Sequence, residues 1–249
     1  MRLKGKRAFV TGSSRGIGSE IAKLFASEGA RVVVNYRSSK READNVVRSI
    51  RKAGGRAFAV QGDVSDPSSV SRMFSEGRRV LGGLDILVNN AGLADPSIWA
   101  PKLEDTTLAM WQKVFAVDAF GTFLCSKAAA KLMNKGGSIV NVSSTPALTG
   151  DLEGLVYASA KGAVLTMTKT LARMLAPRIR VNCMVFGSFK TTWVDWLDAK
   201  QLAYYKSGIP LKRLGVPRDA ANLALFLAGD ESSFITGQSI VIDGGEVAH

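Results

Sequence analysis

Tyr157 and Lys161 stand four residues apart in Tyr157-Ala-Ser-Ala-Lys161, a spacing that puts a phenol and an ammonium on one face of a helix. A nearby positive charge favours phenolate, so the pair is a candidate general acid/base near neutrality. The same spacing also suits a plain solvated helix face. Thirteen residues earlier, Ser144 ends the run Ser138-Ile-Val-Asn-Val-Ser-Ser144. That run reads as a buried strand, and the carboxyl ends of strands are where doubly wound sheets gather ligands.

A second constellation lies near the amino end. Thr11-Gly-Ser-Ser-Arg-Gly-Ile-Gly18 follows one apolar run and leads directly into a helical pattern, with Ile17, Ile21, Leu24 and Phe25 on one face. Glycines at 12, 16 and 18 allow a tight turn and a close approach of backbone to a pyrophosphate, which then sits on the helix N-terminus. A tight strand-to-helix turn with no ligand is the competing reading. Dinucleotide sites usually place an acid roughly 20 residues further on, to bind the ribose 2′-hydroxyl. Here the second strand ends Val34-Asn-Tyr-Arg37, and no acid follows until Glu42. Arg15 and Arg37 suit a 2′-phosphate instead, because guanidinium binds phosphate bidentately. Two solvated surface arginines are the alternative.

The elements that must position these groups come at even intervals. Residues 8–10, 32–34, 57–60, 86–88, 138–142, 179–183 and 239–242 form apolar runs bounded by turn residues, with helical patterns between them. Strand–helix alternation from end to end predicts an α/β fold, a Rossmann-type doubly wound parallel sheet. No linker, repeat or low-complexity stretch divides the chain, so residues 1–249 are expected to form a single domain. The rhythm breaks at about 189–215, where Trp193, Trp196, Tyr204 and Tyr205 mark a long excursion of the kind that serves as a lid.

Composition narrows the chemistry further. The 249 residues carry 33 Lys and Arg against 21 Asp and Glu, a formal charge of +12. Residues 1–60 alone hold 14 basic and 4 acidic side chains. These charges are dispersed through periodic segments and form no basic arm; nucleic acid and a phosphate-bearing small ligand are the competing readings, and composition alone does not choose between them. The one His is the last residue, which weighs against Ser-His-Asp hydrolysis and His-ligated metal. Two lone Cys, 125 and 183, make no disulfide framework and fit a reducing compartment. With no long uncharged apolar run and no signal-peptide core, a cytoplasmic protein is expected.

The motifs taken together resemble the short-chain dehydrogenase/reductase family along essentially the whole chain. They occur in order: Thr11-Gly-x-x-x-Gly-Ile-Gly18, Asp63-Val64, Asn89-Asn-Ala-Gly92, Ser144, Tyr157-x-x-x-Lys161 and Ile242-Asp-Gly-Gly245. The resemblance implies a seven-stranded sheet of order 3-2-1-4-5-6-7 and hydride transfer between a nicotinamide cofactor and a carbonyl or secondary alcohol. It implies that Ser144 hydrogen-bonds the substrate oxygen, that Tyr157 transfers its proton, and that Lys161 tunes the tyrosine and holds the nicotinamide ribose. Gly12, Ser14, Arg15, Gly16, Ile17, Gly18 and Arg37 would hold phosphates, with NADP(H) preferred and NAD(H) possible. Asp63 and Val64 would border the adenine; Asn90, Ala91 and Gly92 the ribose; Gly187 and Thr191 the carboxamide.

Two positions depart from the family pattern. The Asn of the fourth helix, which supports a water-mediated proton relay, aligns with Asp118, whose added negative charge would raise the Tyr157 pKa. Phe186-Gly187 stands where the family shows Pro-Gly, and Phe186 would alter the loop and shrink the pocket. These departures motivate a cofactor-binding regulatory protein as the reading of another class.

The nearest branches are 3-oxoacyl-carrier-protein reductases and glucose 1-dehydrogenases. Substrate contacts are expected from residues 93–101, 145–155 and 189–208, which hold Leu93, Ile98, Trp99, Leu148, Leu152, Trp193 and Trp196. An apolar lining favours a ketone or acyl chain. A sugar would want more polar partners, for which Asp95, Asp151, Glu153 and Asp195 are the candidates. Lys127, Lys131 and Lys135 recur every four residues on one predicted helix, and Arg173 and Arg178 lie near the end of the next. This is a docking face for an acyl carrier protein or a solvated face. The resemblance further implies a homotetramer that pairs the helices within about 105–134 and 155–176, with neither nucleic acid nor membrane as partner.

Overall fold

The computed structural model describes residues 1–93, 95, 102–191 and 198–247, with backbone only at 199 and 205. Seven parallel strands form one sheet in the order β3-β2-β1-β4-β5-β6-β7. They are β1 (Arg7–Val10), β2 (Arg31–Tyr36), β3 (Arg56–Gln61), β4 (Leu84–Asn89), β5 (Met133–Ser144), β6 (Ile179–Phe186) and β7 (Ser239–Ile242). The order reverses between β1 and β4, so the loops after these two strands part to opposite sides and leave a crevice at their carboxyl ends.

Strand side chains alternate between the two faces of the sheet. Ala8, Val10, Val32 and Val34 join one core with Ile21 and Phe25 of α1 (Gly16–Ser27), Val47 of α2 (Lys40–Lys52) and Ala224 of α9 (Pro217–Ala228). Phe9, Val33, Leu87 and Ile139 point the other way. They pack on α3 (Pro67–Leu81), α5 (Gly121–Leu132) and α7 (Leu155–Leu175) through Phe74, Ala129 and Ala172. Phe9 stacks on Phe74 with ring centroids 4.6 Å apart, and Gly77 makes room for the Phe9 ring, because a Cβ there would stand 2.7 Å from it.

Two element boundaries differ from the sequence reading. β5 begins at Met133, which pairs with Leu84 before a register shift returns the strand at Ser138 opposite Ile86. The Gly136-Gly137 step hides this early start from the apolar pattern. α5 therefore ends at Leu132, and Lys135 lies on the strand and not on the helix of Lys127 and Lys131. Arg178 is also diverted, since its Nη1 donates to the carbonyls of Ala130 and Met133 and so caps that helix.

α4 (Leu108–Phe115) runs into α5 through a π-turn at Ala116–Phe120, a local widening often found at functional sites. α6 (Pro146–Thr149) is one short turn after β5. The 189–215 excursion begins and ends at one bridge between Phe189 and Gly215, and it contains α8 (Ala199–Gly208). Among the described residues, no helix is long and apolar enough to cross a membrane.

Candidate active site

A cavity of about 550 Å³ opens at the carboxyl ends of the strands. The glycine turn after β1 is shaped by its neighbours. Gly12 (φ +59°) lies so close to the loop after β4 that a Cβ would stand 2.8 Å from Ala91 Cα. At Gly18 a Cβ would stand 2.5 Å from Asn90 Nδ2 and 2.6 Å from the Gly12 carbonyl. Gly16 (φ +57°) faces open space. Asn90 locks the two loops together, donating from Nδ2 to the Thr11 and Gly12 carbonyls, while Thr11 Oγ1 accepts the N–H groups of Asn90 and Ala91. Arg15, the residue before α1, contributes no side-chain cap; the Ser19 N–H donates to the Arg15 carbonyl, while among the described residues the N–H groups of Gly16, Ile17 and Gly18 have no protein partner. Free amides at a helix N-terminus beside glycines that admit no side chain fit a pyrophosphate.

Ser144, Tyr157 and Lys161 meet on the other side of the cavity. Ser144 Oγ donates to the Phe186 carbonyl at 3.2 Å and also hydrogen-bonds with the Tyr157 side chain. Lys161 is buried on α7, with Nζ 5.6 Å from the centre of the Tyr157 ring and donating to the Val142 carbonyl at 3.3 Å. Asp118 comes from the π-turn to place Oδ1 2.8 Å from Lys161 Nζ. Burial raises the Tyr157 pKa, Lys161 lowers it and Asp118 raises it again, so the phenol lies above its ordinary value. The sequence reading expected Lys161 to lower it; burial and the second charge outweigh that effect. Lys161 is itself held above the usual range, because Asp118 and Tyr157 overcome the opposing effect of burial.

A family model described as "Enoyl-(Acyl carrier protein) reductase" matches residues 12–246. The chain is 39% identical to a 3-oxoacyl-[acyl-carrier-protein] reductase of Synechocystis sp., over 98% of both chains. It is likewise 39% identical to 3beta-hydroxysteroid dehydrogenase 1 of Eggerthella lenta, over 98% of this chain and 94% of that one. A crystal structure of a short chain dehydrogenase from Burkholderia cenocepacia in complex with NADP superposes with a TM-score of 0.92 at 39% identity, covering both chains fully. This chain belongs to the short-chain dehydrogenase/reductase family.

Every residue singled out from the sequence as a site candidate of this family lines the one cavity, from Gly12 through Asp118 and Gly187 to Thr191. Arg15 and Arg37 line it together, and both are exposed. Asp63 takes Ser65 N–H and Oγ on its Oδ1, which orders the turn after β3. The substrate side is less as expected. Leu93 lines the cavity, but Leu152 is 98% exposed and Leu148 lies outside the lining. Asp95 pairs with Lys113, Glu153 is exposed, and Asp151 is the described sugar-type candidate that reaches the cavity. Ile98, Trp99, Trp193, Asp195 and Trp196 lie outside the described residues.

Phe186 keeps its place as the last residue of β6, opposite Ser144 and Ile242, and packs on Phe189 with centroids 5.0 Å apart. Two further cavity residues escaped the sequence reading. Asn35 accepts the Gly12 N–H, and its signal was a lone amide within an apolar strand. Glu246 accepts Ser188 N–H and Oγ, each at 2.8 Å. Nothing in the local pattern marks Glu246, because its partner lies 58 residues away.

Proposed function

We propose that this oxidoreductase uses NADP(H) and acts on a carbonyl or secondary alcohol, with a 3-oxoacyl thioester or another ketone as substrate. The observation that carries this reading is the convergence of Ser144, Tyr157 and Lys161 with the glycine turn on one cavity. The cofactor, when bound, supplies or accepts the hydride. Everything else falls to the chain. Ser144 exchanges its long bond to the Phe186 carbonyl for the substrate oxygen, and Tyr157 hands its proton to that oxygen. Lys161 holds the nicotinamide ribose with the N–H that Asp118 and Val142 leave over. Gly12, Ser14, Gly16, Ile17 and Gly18 cradle the pyrophosphate, and Asn90, Ala91 and Gly92 line the ribose. Asp63 and Val64 border the adenine, while Gly187 and Thr191 border the carboxamide. Arg15 and Arg37 take a 2′-phosphate, in keeping with the NADP held by the Burkholderia cenocepacia structure.

Relatives named for a 3-oxoacyl thioester and for a hydroxysteroid share a ketone/alcohol pair and little else. The apolar lining by Leu93, Phe186, Phe189, Leu202 and Leu214 also favours such a substrate over a sugar, with the 189–215 segment as lid. Lys127 and Lys131 on α5 offer a basic face to an acyl carrier protein. Exposed Leu108, Phe120, Phe123, Leu155 and Met174 on α4, the π-turn, α5 and α7 support a tetramer paired through those helices.

The test follows nicotinamide absorbance with NADPH and NADH against ketones, 3-oxoacyl thioesters and sugars. Turnover with ketones or thioesters and NADPH, lost by about 10²–10⁴-fold in Tyr157→Phe, is expected. No turnover with any substrate, or a Tyr157→Phe chain as active as the parent, would sink the reading.

A further inference from the structure

Asp118 is a carboxylate in a place where water scarcely reaches. Its side chain is 0% exposed and that of Lys161 5%, with 2.8 Å between Oδ1 and Nζ. The other oxygen, Oδ2, accepts the Leu93 N–H at 3.1 Å, so the carboxylate is anchored from both sides. A Cβ on Gly92 would stand 3.1 Å from Oδ1 and 3.7 Å from Nζ, which shows how closely the loop after β4 is drawn over the pair. An ammonium beside a phenol stabilises phenolate. A carboxylate in contact with that ammonium cancels much of its field at any third group. A neutral amide in the same position would leave the field uncancelled.

We infer, on the basis of the oxidoreductase reading above, that Asp118 is a positioning residue: it pairs with Lys161, holds Tyr157 as the protonated phenol and so favours carbonyl reduction. In that direction the carbonyl carbon takes the hydride, its oxygen takes the Tyr157 proton, and solvent returns a proton to the phenolate. Alcohol oxidation needs phenolate at the outset and begins from the scarcer form.

The two carboxylates facing the pair agree in sign, and Ser144 opposes them. Asp118 reaches it from the π-turn and Asp151 from the loop before α7; both carboxylates raise the phenol. Cys183 faces Lys161 from β6, but burial pushes its thiol up to about 12, so it stays neutral. Ser144 on β5 offers Tyr157 a hydrogen bond that favours phenolate. Burial raises the phenol most; Lys161 is the cation that opposes it among the described residues, and Asp118 is the carboxylate in contact with that cation.

The decisive variant is Asp118→Asn, which keeps the shape and removes the charge. Its Tyr157 should titrate about one pH unit or more below the parent value. The readout is the ultraviolet phenolate band, with Tyr157→Phe in each background subtracted, and it needs no turnover. If the enzyme also reduces ketones, the alkaline limb of kcat/KM for reduction should move down by the same amount, as should the acidic limb for oxidation. Asp118→Ser, which also removes the charge, carries the same expectation if the amide variant does not fold. An unchanged phenolate midpoint in the folded variant overturns the inference. A shifted midpoint in a chain without turnover upholds the electrostatic role and rejects only the oxidoreductase reading on which the direction rests.

Discussion

Asn35, near the end of β2, accepts the Gly12 N–H at 3.0 Å, while its own amide donates to the carbonyls of Val60 and Gly62 at 3.3 and 3.2 Å. One side chain therefore sets the distance between the glycine turn and the two strands beside it. Asn35→Ala would leave these buried groups dry, at about 1–3 kcal/mol for each that finds no new partner. The expected loss in Tm is on the order of 5–10 °C, followed by calorimetry. A variant as stable as the parent would show that water replaces the amide without cost.

The three glycines of the turn separate space from conformation. Gly16→Ala meets no atom within 4 Å but keeps φ at +57°, so a modest loss of about 1–2 kcal/mol is expected. Its new methyl would stand where the phosphates belong, and NADPH affinity should fall far more than stability. Gly18→Ala meets Asn90 and the Gly12 carbonyl at 2.5 and 2.6 Å and should damage fold and binding together. Thermal melts paired with NADPH fluorescence titration distinguish the two. Equal behaviour of the variants would contradict this division.

Arg37 is the residue to change if cofactor choice rests on a 2′-phosphate. Charge-assisted hydrogen bonds contribute about 1.5–3 kcal/mol, so Arg37→Ala should weaken NADPH binding by roughly 10–100-fold and leave NADH nearly unchanged. Parallel titrations with both nucleotides give the ratio. An equal effect on both would assign Arg37 to the surface.

Much of the frame was legible because a strand buried on both faces is written as an unbroken apolar run. Residues 32–34 and 86–88 each fall inside the observed strand, with the ends extended by a few polar residues. The glycine turn was legible too, since positive φ leaves a mark in residue type. The π-turn at Ala116–Phe120 left none, because one extra residue in a helical turn changes no periodicity that a short window can see. Contacts across the chain were hidden for a different reason. Asp118 and Lys161 come together only when the π-turn and α7 pack side by side, and Ser188 and Glu246 only when β6 and β7 deliver the segments after them to one edge. On the substrate side, Trp99, Trp193 and Trp196 lie outside the described residues, and of the described apolar candidates Leu93 is the one that lines the cavity.

Arg7 and Asp85 tie the foot of β1 to β4, through bonds of 2.8 Å from Nε and Nη2 and 2.9 Å from the Arg7 backbone N–H. Burial by itself would raise the Asp85 carboxyl, but these bonds outweigh it and hold the carboxyl below the usual range. A depressed folded-state pKa stabilises above the unfolded value of about 3.9 and is lost as pH falls through the folded value. Asp85→Asn should therefore lower Tm at neutral pH and flatten its decline in acid. An Asn variant whose melting temperature falls as steeply in acid as the parent's would place acid sensitivity elsewhere.

The amides in the middle of the sheet have a consequence for assembly. Asn89 on β4 donates to Asn141 on β5, directly opposite in register, and Asn141 donates to Thr168 on α7. Sliding β5 by one position would present Val140 or Val142 to Asn89 and strand polar groups in a dry interior. A misthreaded sheet is thus penalised at its own centre, independently of the contacts at the cavity. Reacting groups at the strand tips take their alignment from this central register, and the loops that choose a substrate can vary without disturbing it.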